Sequence, residues 1–550
     1  MSADGTSVSN ASHTALPSGG VRAASGWLGL IAFEFLLLRL PVMYLQPGGQ
    51  DEEFYAVPGV TILQCGIPRM PHIPARNPES AFYRSDEALF SEPPLYFYFQ
   101  ALFYSVLPVV YGTARLASAV AGVWLLVFTF RISQMIGGTI TASLWAAGLF
   151  SFSRWFYFPA TSARPDLLCA AFGLAAICSI LRWQQGRNLR DLIFAGISLG
   201  LGGLTHPFAI IYAMQMGIWV AFVSRRWHRV LNPLLLAGIA VAVFSAWFPL
   251  IAMFPEVFQV QFRNQFGGVA DQSLAERFFS PWPSLLYHFG MMWAHIGAIQ
   301  FLLVTVGLIA STWIAWRQNQ AGLKIICLLT WTSVFLLCVL IGPHHPVIGY
   351  WSYPAALMFI CLGAAMGRLS DTLVALIAPA DQTPNSAVLS GDVPKEGRRG
   401  MVIAIMTVAV LCSLLPGSGL RTLAVHLRHW GDTNYNSPRF ARELIDSLPH
   451  EGVYVVDTQF LLDFLAAGRQ TLLANRFPVY FKVDEFDYDW LIISRSSREN
   501  GLAEAMQGAL VRTAGNESDK FACFAEIYRS PEHRSATLLE RRVADPMETE

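Results

Sequence analysis

Five stretches of this chain are almost unbroken hydrocarbon: Gly26–Leu45, Leu234–Phe254, Gly297–Trp316, Ile325–Ile341 and Val402–Leu415. Each approaches the ~20 residues that carry a helix across the apolar core of a bilayer. A segment in hydrocarbon has no water to satisfy its N–H and C=O groups, so repeated stretches of this kind require helices. The fold class follows before any motif is read: an α-helical polytopic membrane protein. Composition agrees, because 54% of the 550 residues are hydrophobic and only 14% are charged, against about a quarter charged in an average soluble domain. A formal net charge of zero leaves no electrostatic case for nucleic acid as a partner.

Basic residues orient the bundle. Arg182, Arg187 and Arg190 fall in one short loop, Arg225, Arg226 and Arg229 in a second, Arg317 and Lys324 in a third. The positive-inside rule places all three in the cytoplasm. Alternation from these loops predicts crossings at 165–182, 190–204, 207–224, 234–254, 292–316, 322–342, 349–366 and 400–416. Ahead of them come 26–45, 112–130 and one crossing between Arg131 and Arg154, about eleven in all. Residues 94–110 open on Pro93-Pro94 and are rich in Tyr and Phe. They read as an interfacial helix, since aromatic rings favour the headgroup region.

Three parts result. Residues 1–25, rich in Ser, Gly and Ala, are expected to be disordered. Residues 26–417 form the transmembrane part, with an outer loop at 46–111 and a cytoplasmic linker at 367–399. Residues 418–550 form a soluble outer α/β domain, because apolar runs shorten there to strand length (Val453–Val456, Trp490–Ile493, Ala522–Tyr528) and alternate with helical patterns. No cleavage site follows Leu45, so the first helix is retained. Cys169, Cys178, Cys327, Cys338 and Cys361 lie in apolar helices and read as small buried hydrophobes. Cys65 and Cys523 lie in polar segments, and a pairing between them stays open.

Polar side chains collect at the outer ends of the predicted helices. Asp51-Glu52-Glu53 follows the first crossing, Arg115 opens the second, Arg164 and Asp166 flank a later outer loop, and His206 and His344 sit in outer turns. Ionisable groups this close to a membrane usually line cavities, although a charge at a helix end can also mark only where water begins. Their order is more telling than any one of them: Asp51-Glu52 with Tyr55 close behind, Pro93-Pro94-Leu95-Tyr96, Arg115-Leu116-Ala117-Ser118, Arg164-Pro165-Asp166, then the turn Leu204–Pro207. In this order the chain resembles the GT-C superfamily of membrane glycosyltransferases, over about its first 225 residues. Within it, the resemblance is to the branch of protein O-mannosyltransferases and the bacterial lipid A aminoarabinose transferase. Two positions depart from that pattern: Glu92 stands where relatives often have His or Lys, and His206 where Lys is common.

The resemblance implies an inverting transfer of a sugar from a polyprenyl-phosphate donor lipid to a lipid, glycan or protein acceptor. Arginine placement and parity put the site at the outer face, expected to be that of a bacterial inner membrane, with a eukaryotic membrane left open. The resemblance implies no catalytic metal or other cofactor, with a divalent metal as the alternative. Asp51, Asp166 and His206 carry no metal-ligand spacing. Asp51 is the expected general base, with Glu52 and Asp166 as further acids. Arg84, Arg115, Arg164 and Arg263 are the expected phosphate ligands, because a guanidinium grips phosphate oxygens in bidentate fashion. Tyr55, Tyr96, His206 and His344 are expected in the substrate pocket. A transporter or flippase is the rival class, but the chain shows no internal repeat and its polar residues gather at one face instead of the midplane.

Overall fold

The computed structural model describes residues 18–49, 51–267, 273–343, 348–377, 395–474, 488–499 and 501–531. The chain begins with α1 (Ser18–Leu45), which leads to α2 (Glu52–Cys65) and α3 (Leu95–Tyr104). The bundle continues through α4 (Tyr111–Met135), α5 (Ile140–Phe152), the short α6 (Arg154–Thr161), α7 (Asp166–Gly186), α8 (Leu189–Thr205) and α9 (Ala209–Val223). Then come α10 (His228–Phe244), α11 (Phe248–Met253), α12 (Pro255–Gly267), α13 (Leu274–Phe279), α14 (Trp282–Ile296), α15 (Ala298–Arg317), α16 (Ala321–Ile341), α17 (Ser352–Ile377) and α18 (Lys395–Leu414). Among the described residues, seven helices are long and apolar enough to cross a membrane, and three shorter apolar helices (Ile140–Phe152, Ala209–Val223, Ala404–Leu414) accompany them. The protein is a multi-pass helical membrane protein.

Each predicted crossing has a helical counterpart, with three corrections. Residues 18–25, expected to be disordered, belong to α1; residues 1–17 lie outside the described residues. The crossing placed at 292–316 is two helices, because Gly297 adopts φ 93° and breaks the run between α14 and α15. A left-handed glycine ends a helix at little steric cost, and hydropathy alone does not register it. The interfacial helix is also shorter than expected, ending at Tyr104. It buries Tyr96, Phe97, Gln100 and Tyr104 and leaves Tyr98 and Leu102 exposed, the two-sided character of an interfacial element. Within α1, Arg39 reaches Ser151 O (2.5 Å) and lies over the Phe35 ring (4.3 Å), while Glu34 accepts from Ser151 Oγ (2.8 Å). Both intramembrane charges therefore turn to the same residue of α5.

After α18 come α19 (Leu420–Arg428), α20 (Ser437–Asp446) and α21 (Thr458–Ala466) around a five-stranded sheet. Its strands are β1 (Val453–Val456), β2 (Gln470–Leu473), β3 (Trp490–Ile493), β4 (Ala509–Gly515) and β5 (Phe524–Arg529), in the order β2-β1-β3-β5-β4. The first three are parallel, and β5 runs antiparallel to both β3 and β4. Strands β1 and β3 read as continuous apolar runs because both faces are covered. Cys65 is exposed and Cys523 buried, and both are free thiols.

This small α/β unit sits on the segment that follows α1. Gly48 N–H donates to Gln459 O (3.1 Å), the Tyr111 hydroxyl donates to Thr458 O, and Leu473 N–H donates to His72 O (3.1 Å). Gly48 permits the approach: a Cβ there would fall 2.5 Å from both Thr458 O and the Tyr111 ring. Residues 46–49 are thereby held between α1, α4 and α21.

Candidate active site

At the start of α2 two neighbouring acids face different partners. Glu52 is 2% exposed and forms a bidentate pair with Arg115, Nε to Oε1 at 2.8 Å and Nη2 to Oε2 at 2.5 Å. Its oxygens also accept from Gly49 N–H and Ala163 N–H, both at 2.7 Å. Arg115 spends its remaining donors on Met43 O (2.6 Å), Gln46 O (3.0 Å) and Pro47 O (2.7 Å). A guanidinium has five N–H donors, and all five are taken. The pair closes the turn after α1 onto α4 and the 163 loop, and Arg115 has no donor left for a phosphate.

Asp51 is different. Its side chain is 32% exposed, and its Oδ2 meets Arg164 Nη1 at 2.6 Å. Arg164 is buried, and its Nε binds Asp166 Oδ2 at 2.8 Å. Asp166 opens α7, where the helix N-terminus favours a carboxylate, and is completely buried; among the described residues its Oδ1 has no hydrogen-bond partner. Asp51 itself sits at φ 66°, left-handed for a non-glycine residue, a conformation tolerated by Asp but uncommon and frequent at functional sites.

Three further groups hold Arg164. Ser118 Oγ donates to Arg164 O (2.9 Å) and accepts from Arg164 N–H (3.2 Å), and it is bonded in turn to the Tyr96 hydroxyl (2.9 Å). Arg115 and Ser118 are three residues apart and so share a face of α4, one side chain serving each acid–arginine pair. The guanidinium lies against the rings of Tyr55 (5.3 Å) and Tyr350 (5.7 Å). Gly349 admits the contact, since a Cβ there would come within 2.9 Å of both Arg164 Nε and Asp166 Oδ2.

Glu92 and His206 complete the cluster. The Tyr55 hydroxyl donates to Glu92 Oε1 (3.3 Å), and His206 Nε2 lies 3.9 Å from Glu92 Oε2. Burial, followed by the nearby Asp166 charge, pushes the Glu92 carboxyl up to about 8. Burial pushes His206 down to about 4. Beside them is a cavity of about 180 Å³ lined by Phe90, Ser91, Pro93, Gly203, Pro207, Phe244, Trp247 and Phe262, almost wholly apolar. Buried Gln261 pins the loop that forms it: its carbonyl oxygen accepts from Phe90 N–H (2.7 Å) and Ser91 N–H (3.1 Å), and its amide donates to Tyr83 O and Ala88 O.

The expected residues are therefore divided. Asp51, Tyr55, Arg164, Asp166 and His206 come together, with Glu92 between them. Glu52, Arg115 and Tyr96 form the buried support. Arg84 is clamped by Glu87 (2.6 Å) and Glu256 (3.4 Å), and Arg263 reaches Pro78 O (3.5 Å). No contact joins either arginine to Asp51 or Arg164 among the described residues. His344 lies outside the described residues. Among the described residues no three His, Cys, Asp or Glu side chains form a group able to hold a metal. Gln261, Gly349 and Tyr350 were missed; each acts on a segment more than 150 residues away in sequence, beyond any local pattern.

The sequence family described as dolichyl-phosphate-mannose-protein mannosyltransferase matches residues 91–249, from Ser91 in the cavity wall to the start of α11. No curated protein sequence matches the chain. Among solved structures, ArnT from Cupriavidus metallidurans bound to undecaprenyl phosphate aligns with a TM-score of 0.56 at 15% identity, covering 92% of this chain and 98% of that one. The archaeal oligosaccharyltransferase AglB from Archaeoglobus fulgidus, in complex with an inhibitory peptide and a dolichol-phosphate, aligns with a TM-score of 0.52 at 12% identity, covering 94% of this chain and 75% of that one. The chain has the fold of the GT-C membrane glycosyltransferases. The family match covers residues 91–249, under a third of the chain, and the structural matches extend the shared fold over nearly its whole length.

Proposed function

We propose that the protein is an inverting glycosyltransferase that moves a sugar from a polyprenyl-phosphate donor to a lipid, glycan or protein acceptor at the extracytoplasmic face. The observation that carries this reading is the Asp51–Arg164–Asp166 cluster beside an apolar groove. One acid of the cluster remains partly open to water and to an incoming acceptor, whereas the arginine and the second acid are buried. The groove suits an isoprenoid chain, and Ser91, Pro93 and Pro207 in its lining are the sequence neighbours of Glu92 and His206. ArnT with undecaprenyl phosphate bound and AglB with a dolichol-phosphate bound support a polyprenyl-phosphate donor.

In this reading Asp51 accepts the proton of the attacking hydroxyl or amine as the acceptor approaches the anomeric carbon from the face opposite the leaving phosphate. A positioned general base contributes roughly 10²–10⁴-fold. Arg164, already oriented by Asp166 and by the two tyrosine rings, stabilises charge on the departing phosphate, where preorganised donors in a dry site act most strongly. The outer location is supported by the basic loops at the opposite ends of α7 and α9. In this reading the α/β unit packed on residues 46–49 forms a wall of the acceptor side.

The test is transfer of radiolabel from undecaprenyl-phosphate-linked arabinose, 4-amino-arabinose, mannose or glucose by purified protein, with cell-envelope fractions as acceptor. Asp51→Asn is expected to abolish transfer and to leave folding and undecaprenyl phosphate binding near normal. Full activity in that variant would remove Asp51 from the mechanism. Movement of substrate across vesicles without a new glycosidic bond would support a transporter instead.

A further inference from the structure

The cluster holds an imbalance of charge. The carboxyls of Asp51, Asp166 and Glu92 surround one guanidinium, Arg164, because Arg115 is fully engaged by Glu52. Ionised together, the three acids would leave a net negative, largely buried site facing a negative phosphate. Such a site would repel its donor and repel the product more, since like charges in a low-dielectric interior interact strongly. A proton on one of the three carboxyls lowers the net charge of the cluster from −2 to −1 and eases that repulsion.

Geometry identifies which. Asp51 and Asp166 each accept a guanidinium N–H directly, at 2.6 and 2.8 Å. Glu92 binds none. Its Oε1 accepts a hydrogen bond from the neutral Tyr55 hydroxyl, and its Oε2 has no hydrogen-bond partner among the described residues. His206 does not supply a cation, because its Nδ1 accepts from Phe208 N–H (3.2 Å) and so carries no proton. The ring is a neutral tautomer with its Nε2–H turned toward Glu92. The other charged or titratable groups facing Glu92 are Asp51 and Arg164, then Asp166 and Cys169 on α7, and Tyr350 before α17. Arg164 is the only cation in that set. Ser91 and Pro93, on either side of Glu92, and Pro207, after His206, line the apolar groove. The free oxygen of Glu92 thus stands where a lipid phosphate emerging from the groove meets the reaction centre.

We propose that Glu92 is a neutral carboxylic acid that donates its proton to the departing lipid phosphate, doing by proton transfer what a fixed cation would do by charge. The inference rests on the glycosyl-transfer reading above. In the step, the acceptor oxygen or nitrogen forms a bond to the anomeric carbon and its proton passes to Asp51. The bond from the anomeric carbon to the phosphate oxygen breaks, and its electron pair stays on the phosphate. Glu92 delivers its proton to a phosphate oxygen, so the polyprenyl phosphate leaves as a monoanion. The proton on Asp51 then returns through water to Glu92. Over the cycle the acceptor proton ends on the lipid phosphate, and no other co-reactant is needed. Burial that raises the Glu92 carboxyl to about 8 keeps this proton in place at neutral pH.

The experiment uses the full chain in nanodiscs, with wild type, Glu92→Gln and Glu92→Asp compared between pH 6 and 9.5. One arm measures affinity for undecaprenyl phosphate; the other measures turnover with the labelled donors. Wild-type affinity and turnover are both expected to fall above pH 8, affinity by about tenfold per pH unit, as one linked proton requires. Glu92→Gln keeps a hydrogen-bond donor without a transferable proton. It is expected to bind undecaprenyl phosphate with no alkaline fall, and to turn over at least about 100-fold more slowly. Glu92→Asp is expected to retain the alkaline fall with reduced turnover. Glu92→Gln turning over within tenfold of wild type, or keeping the wild-type alkaline fall in binding, would overturn the proposal. If wild type transfers sugar from none of the donors, the glycosyl-transfer reading fails, while the binding arm still decides whether residue 92 holds the proton.

Discussion

Replacing Arg115 by Met separates support from substrate binding. The substitution keeps most of the side-chain volume but removes all five N–H donors. Glu52, at 2% exposure, becomes an unpaired buried carboxylate, and the carbonyls of Met43, Gln46 and Pro47 lose the donors they share. Breaking a buried pair by deleting one partner costs about 3–5 kcal/mol, a large share of a typical folding free energy of about 5–15 kcal/mol. The loss falls on the 43–52 turn, so hydrogen exchange of that turn should rise sharply and the thermal midpoint in detergent should fall. Affinity for undecaprenyl phosphate should stay within about threefold, as no donor of Arg115 faces the groove. Glu52→Gln combined with Arg115→Met should cost less than Arg115→Met alone by at least ~1 kcal/mol, within the coupling range of contacting residues, because no unpaired charge remains. Unchanged exchange at 43–52 together with a tenfold or greater loss of lipid affinity would refute this account and return Arg115 to the phosphate.

Other perturbations probe the remaining parts. Arg164→Lys keeps the charge but replaces the planar fork whose Nε and Nη1 hold Asp166 and Asp51 with a single nitrogen; turnover should fall roughly 10²–10³-fold, the scale of losing one oriented donor, measured as single-turnover transfer. Gly203→Phe should fill the groove and weaken undecaprenyl phosphate binding by tenfold or more, since each excluded methylene is worth about 0.8 kcal/mol; a binding isotherm unchanged from wild type would exclude the groove as the lipid site. Gly48→Ala should loosen the α/β unit by about 1–3 kcal/mol, the usual cost of overpacking, because its new Cβ would press on a backbone oxygen. Limited proteolysis between α18 and α21 reads that change.

Much of the architecture was legible because hydrocarbon length and arginine placement are properties of single segments. The break at Gly297 escaped because φ is invisible to hydropathy. The motif residues could be gathered at one face because each sits at a helix end, and alternation assigns ends to faces. Their division of labour could not be read. Nothing in Asp51-Glu52 says which acid meets Arg115 and which meets Arg164; that depends on partners 63 and 113 residues away. Arg84 and Arg263 were chosen as basic residues in outer segments, and sequence does not show that Glu87 and Glu256 already hold Arg84.

Adjacent acids on one turn serve opposite needs because the backbone turns between them. Asp51 sits in the left-handed region and Glu52 begins a helix, so their side chains leave in different directions. Glu52 goes inward to a saturated guanidinium, and this costs the site a cation that the sequence appeared to provide. Asp51 goes to Arg164, which is already shared with Asp166. With one available guanidinium, three ionised carboxyls would leave the site at −2 toward a phosphate it has to release, and one proton halves that charge. Glu92, the residue that least fitted the motif, is therefore the one whose protonation makes the rest consistent. A lysine at position 92 would relieve the same imbalance by a fixed charge. Glu92→Lys should then flatten the alkaline fall in undecaprenyl phosphate affinity and keep turnover above that of Glu92→Gln. A lysine variant that turns over no better than the glutamine would mean that the site needs a transferable proton there, and that charge alone does not suffice.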